Sequence, residues 1–162
     1  MPRFLGSAIE LCRRASLLLA LALAACSDQG PQTDEFEENR ERWRESRPEA
    51  YVYAVERLCF CGDAGRGPVR VWVLGNTAQE RRYVEGGAVV NGPYADLFPT
   101  VEGLFEIIQE AIPRAHELEV TYDPVSGVPV DFWIDYSANI ADEELGFRVT
   151  EPVQAWLQAV HQ

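Results

Sequence analysis

The chain contains no lysine: all 14 of its basic residues are arginine, set against 26 acidic residues, and the formal net charge is −12 over 162 residues. A surface this acidic repels phosphate at long range, which excludes nucleic acid as a partner. Arginine used to the exclusion of lysine reads as a GC-rich coding bias and not as a binding feature. Histidine is almost as scarce. His116 stands just ahead of a strand and His161 is the penultimate residue, and neither has a sequence partner that suggests a triad. Carboxylates at alternate strand positions, such as Asp131 and Asp135, have the chemistry for acid–base work, but on an exposed strand such groups are normally just solvated. The expectation is therefore a non-enzymatic protein with no cofactor. Long hydrophobic runs are also missing. The longest, Leu17 to Ala25, has nine residues, whereas a membrane-spanning helix needs about 20.

That short run is nevertheless the most informative stretch. It follows Arg3, Arg13 and Arg14, consists of leucine and alanine, and gives way at once to Ser, Asp, Gln, Gly and Pro, the profile of a secretory leader. Its end, Leu23-Ala24-Ala25-Cys26, resembles the lipobox of bacterial lipoproteins. The resemblance implies cleavage before Cys26 and acylation of that cysteine, and two or more acyl chains make membrane attachment stable. An ordinary signal peptide with a chance cysteine is the competing reading. Arg13-Arg14 invites a twin-arginine signal, but Cys12 and Ser16 fit that pattern poorly. Ser27 stands where aspartate would favour inner-membrane retention, so the expected location is the periplasmic leaflet of a Gram-negative outer membrane. Loss of residues 1–25, with three arginines and one glutamate, takes the net charge from −12 to −14. The organisation expected is a leader over 1–25, a tether over 26–33 and one domain over 34–162.

After that processing only Cys59 and Cys61 remain. In an oxidising compartment the two can pair, stay free or bridge two molecules. Residues two apart on an extended strand sit near the upper distance limit for a disulfide, so pairing requires a bend, which Gly62 permits. A structural clip and a redox couple both follow from such a pair. Zinc would be left short of ligands.

Along the domain, Asp34 caps a charged helix that stops near Arg47-Pro48 and buries Phe36 and Trp43. Residues 51–61 and 69–74 read as strands, with Val69, Val71 and Val73 on one face and Arg70, Trp72 and Leu74 on the other. Gly62, Gly65 and Gly67 make the loop between them, and a third strand is expected around 82–85 after the Gly75-Asn76 turn. Thr100 to Ile112 is an amphipathic helix capped by Thr100 and ended by Pro113. Two alternating strands, 118–122 and 128–136, flank an Asp123-Pro124-Val125-Ser126-Gly127 turn. Phe147 and Val149 mark a further strand, and Pro152 onward a short closing helix carrying Val153, Trp156, Leu157 and Val160. The fold class expected is α+β: an antiparallel sheet of about five to six strands, helices packed on one face, order α-β-β-β-α-β-β-β-α, with the other face wet.

Trp43, Tyr51, Cys59-Phe60-Cys61, Pro99-Thr100-Val101 with Leu104-Phe105, Tyr122-Asp123-Pro124 with Gly127 and Pro129, Asp135 and Asp142-Glu143-Glu144 occur in this order. Together they resemble an uncharacterised family of small bacterial lipoproteins, domain of unknown function 6174. The likeness covers most of residues 40–150 and implies fold kinship and an envelope location. It implies no activity.

Three candidate sites result. The first is the wet sheet face, where Trp133 lies between Asp131 and Asp135 and where Arg70 and Trp72 occupy a comparable position; large exposed aromatics mark binding patches. The alternative there is that the first or last helix covers both tryptophans. The second is the acidic stretch with Asp135, Asn139, Asp142 and Glu143, which could offer oxygen ligands to calcium; however, Ile140 and Gly146 break the EF-hand pattern. The third is the Cys59/Cys61 pair. The function expected is a lipid-anchored binding or envelope-accessory module with a protein partner, the alternatives being a thiol–disulfide protein and a calcium-binding module.

Overall fold

The computed structural model describes residues 31–139 and 144–156. Helix α1 spans Pro31–Ser46, so it begins three residues ahead of Asp34 and takes in the end of the expected tether. Proline suits a first helical turn, where a missing N–H costs nothing. On α1, Phe36, Asn39 and Trp43 are buried. The chain continues through β1 (Ala50–Leu58), a short helix α2 (Asp63–Arg66), β2 (Val69–Leu74), β3 (Thr77–Tyr83), a 3-10 turn at Gly92–Leu97, α3 (Val101–Ala111), β4 (Glu117–Tyr122), β5 (Pro129–Asp135) and β6 (Leu145–Ala155). The six strands form one sheet in the order β3-β2-β1-β6-β5-β4, and every neighbouring pair is antiparallel.

Helices α1 and α3 share one face of that sheet. Thr100 caps α3 by accepting from Gly103 N at 3.1 Å, and Val101, Leu104, Phe105, Ile108 and Ala111 are buried. They meet Tyr51, Tyr53, Val69, Val71, Val73, Phe132 and Ile134 from the strands. Edge-to-face contacts between Phe36 and Phe105 (5.9 Å) and between Trp43 and Tyr51 (5.3 Å) lock the thin apolar side of α1 into this core.

Four expectations are corrected. Strand β1 ends at Leu58, and Cys59-Phe60-Cys61 forms a bend outside it. The glycine-rich connection contains α2. The third strand lies at 77–83, earlier than expected. The segment from Pro152 to Ala155 is strand and not helix, and the rest of the proposed closing helix, Leu157 onward, lies outside the described residues. Proline is accommodated in β6 because the β1 register slips there: Ala54 faces Glu151 while Val52 faces Gln154, a bulge where a ladder donor is not needed.

Candidate functional site

Trp72 and Trp133 of the expected binding face lie on one side of the sheet but not next to each other, and Arg70 and Trp72 line a concavity of about 500 Å³ with Val52, Glu151 and Gln154. Trp72 pairs in register with Val52, while Trp133 pairs with Gly146, which faces Leu58. Three strand spacings and six residues of rise put the two tryptophans about 25 Å apart. Ion pairs line the same face. Arg70 grips Glu151 through two hydrogen bonds of 2.5 and 2.6 Å, bridging across Ala54, which faces both residues in the ladder and is fully buried. Arg148 holds Asp131 at 2.6 Å and Arg82 holds Glu80 at 2.5 Å. Asp135, at the end of β5, accepts from Ser137 N at 2.8 Å. Arg70, Asp131 and their partners are thus engaged with each other. Trp133 lies across Gly146, where an added Cβ would stand 2.8 Å from the indole.

The other two candidates separate as well. The sulfurs of Cys59 and Cys61 are adjacent, their Cα atoms 5.3 Å apart, and the Arg57 guanidinium lies 3.1 Å from the sulfur of Cys59 and 3.7 Å from that of Cys61. The bend that pairing demands is present. In the acidic stretch, Asp142 and Glu143 lie outside the described residues. Among the described residues no three carboxylate, histidine or cysteine side chains gather as a metal site.

One concavity has no counterpart in the sequence pattern. In-register pairing of β5 with β6 stops at Asp131 and Arg148; beyond it the strands part, and a half-open cavity of about 430 Å³ occupies the gap beside α1. Its walls include Val128, Val130, Val149 and Val153 with Trp43, and Ser46, Asp123 and Ser126 are its polar residues. One wall is the β4–β5 turn, and that turn is rigid. The Asp123 Oδ1 accepts from Val125 N (3.1 Å), Ser126 N (2.7 Å) and Ser126 Oγ (2.8 Å). The bonds from Ser126, led by its backbone N–H, hold the Asp123 carboxyl below the usual carboxylate range. Gly127, at φ +76°, lies against α1, where a Cβ would collide with the carbonyl oxygen of Asn39. Asn39 is itself fixed, donating to Glu35 O at 2.8 Å and accepting from Arg42 at 2.6 Å. Apolar walls, a few polar groups and a preformed shape are what ligand pockets share.

The opposite wall depends on a polar knot at the start of α3. Glu102 accepts from Trp43 Nε1 (3.2 Å), Arg47 (3.1 Å) and Tyr51 OH (2.7 Å), and Tyr51 OH in turn accepts from Val101 N (3.1 Å). Burial, then the Glu102 charge, pushes the Tyr51 and Tyr53 hydroxyls far above the ordinary phenol value; burial, then Glu35, does the same to Tyr122. Phenols held protonated in this way are poorly suited to act as nucleophile or base. Their raised values also predict an alkaline instability. Below about pH 10 both folded and unfolded chains keep these protons and the full stability is present; above it only the unfolded chain releases them, so stability falls as pH rises. In a spectrophotometric titration, tyrosinate absorbance from these three is expected to appear together with loss of the near-ultraviolet dichroism of the fold, and its appearance with that dichroism intact would contradict the assignment.

A model of a family of unknown function, DUF6174, matches residues 35–153. No curated protein and no solved structure matches the chain.

Proposed function

Because the chain belongs to the DUF6174 family, whose function is unknown, we propose a role from its own residues. It is a non-catalytic binding module, exported and held by acyl chains on Cys26 at the envelope, on the periplasmic leaflet of a Gram-negative outer membrane. It captures a protein partner by an apolar side chain seated in the cavity beside α1. The observation that carries this reading is the cavity itself, walled by valines and braced by Gly127 and Asp123. A buried apolar anchor in a preformed pocket is the usual centre of a protein interface. The test is capture from envelope extracts by the intact acylated protein, compared with Val149→Phe, which fills the cavity. At least tenfold loss of one retained protein, with the melting temperature kept within a few degrees, is expected; capture indifferent to Val149→Phe would refute it.

A second reading keeps Cys59 and Cys61 as a bonded, exchangeable couple. It is favoured by the Arg57 guanidinium beside Cys59, a cation placed where reduction would leave a thiolate. Equilibration with a graded series of reductants, read by thiol labelling, separates it from a structural clip: a reversible couple supports it, and resistance throughout the series removes it.

A further inference from the structure

The register places the exit of the membrane tether and the Cys59–Cys61 bend at the same end of the sheet. Strand β1 ends at Leu58 opposite Gly146, near the start of β6; β5 ends at Asp135 opposite Glu117, the first residue of β4. The start of α1 is fastened there too, Gln32 donating to Leu118 O at 2.9 Å. The turn with Val125 joins β4 to β5 at the other end. Between Cys26 and Pro31 the chain has residues 27–30. Five Cα steps span at most about 18 Å even when fully extended. An acylated Cys26 therefore holds this end close to the bilayer surface, with Val125 roughly 20 Å farther off along β4.

The chemistry of that end fits an interface. Phe60, between the two cysteines, is 77% exposed, while the core aromatics of the domain are buried. Beside it a recess is lined by Arg57, Arg66, Trp133, Glu56 and Glu144. Among the described residues neither Arg57 nor Arg66 is in an ion pair, in a chain where acidic residues outnumber basic ones. An exposed ring flanked by long cationic side chains is the arrangement that sits at a lipid headgroup layer, the ring toward the acyl chains and the guanidinium groups at the phosphates.

We infer that the Cys59-Phe60-Cys61 bend, with Arg57 and Arg66, is a second and weaker contact with the phospholipid surface, orienting the domain so that the cavity beside α1 opens away from the bilayer. The inference rests on the lipid-anchor reading. One phenylalanine cannot hold a domain this acidic on a membrane by itself; on a short tether the effective concentration of surface is high enough for it to count. A chain carrying Cys26→Ser is accordingly expected to stay off vesicles.

The experiment uses the full acylated protein in vesicles of phosphatidylethanolamine and phosphatidylglycerol, with photoreactive benzoylphenylalanine in place of Phe60 or, separately, of Val125, which is 82% exposed. Irradiation is expected to give lipid adducts from position 60 at least tenfold above those from position 125. Equal yields, no lipid adduct from position 60, or a protein adduct there in cells instead of lipid would each overturn the inference. The mass of the same preparation separates the anchor from the second contact: an unacylated Cys26 removes the anchor and this contact together, whereas an acylated Cys26 without lipid adducts at position 60 removes this contact alone.

Discussion

Replacing Glu102 with alanine is expected to lower the unfolding free energy by about 2–4 kcal/mol, because three donors lose a charged acceptor at once. Two of them have nowhere to turn: Tyr51 is fully buried and Trp43 is 2% exposed. The Glu102 side chain is 18% exposed, so water can reach part of the knot, which is why the lower end of the range is included. For a domain of this size each kcal/mol moves the melting temperature by roughly 3–5 °C, so the melt should fall by roughly 6–20 °C. Arg47 also donates to Gly75 O at 3.1 Å, and the loss should therefore loosen the turn between β2 and β3. In a Tyr51→Phe background the cost of Glu102→Ala should shrink, since one of the stranded donors is gone. Equal costs in both backgrounds, read by chemical denaturation, would show that the knot is not coupled.

Gly127→Ala is expected to be comparably damaging, by about 2–4 kcal/mol, for two reasons that add. The backbone is at φ +76°, where a Cβ is disfavoured, and the new methyl would lie against the Asn39 carbonyl carbon (3.0 Å) and Arg42 Cβ (3.2 Å) as well as the carbonyl oxygen. None of these can retreat, because they belong to the middle of α1. The turn must lift instead, and the cavity wall lifts with it. Weaker capture of a partner at a temperature where the variant is still folded is the functional sign of that movement. A variant as stable as wild type would contradict the close packing of turn on helix.

Much of this architecture is legible in the chain because burial leaves a periodic imprint. Val69, Val71 and Val73 alternate with Arg70 and Trp72, and the stripe from Val101 to Ala111 recurs at helical spacing; the structure buries both sets. What escapes has a physical reason in each case. Thr77–Tyr83 is an edge strand with no fully buried residue, so nothing selects an apolar alternation. Pro152 argues against a strand unless the bulge opposite Ala54 is known, and a bulge is a property of the pairing, not of either sequence alone. Asn39 lies on the apolar face of α1 because the Gly127 turn comes to rest there, a contact 88 residues away along the chain.

The candidate site shows the same division. Alternation places Trp72 and Trp133 on the wet face, but their separation follows from strand order, which no periodicity encodes. The cavity arises where β5 and β6 part company, and again only the topology reveals it. Asp123-Pro124 with Gly127 was visible as a turn; that it braces a pocket was not.

How the domain is held at the envelope is decided by one mass spectrum. Protein extracted with detergent from the membranes of a bacterium making the full chain should yield an N-terminal peptide that starts at Cys26 and carries a diacylglyceryl group on its sulfur. A peptide with Cys26 unmodified, or with residues 1–25 still attached, would contradict the tether, and with it the orientation of the sheet toward the bilayer.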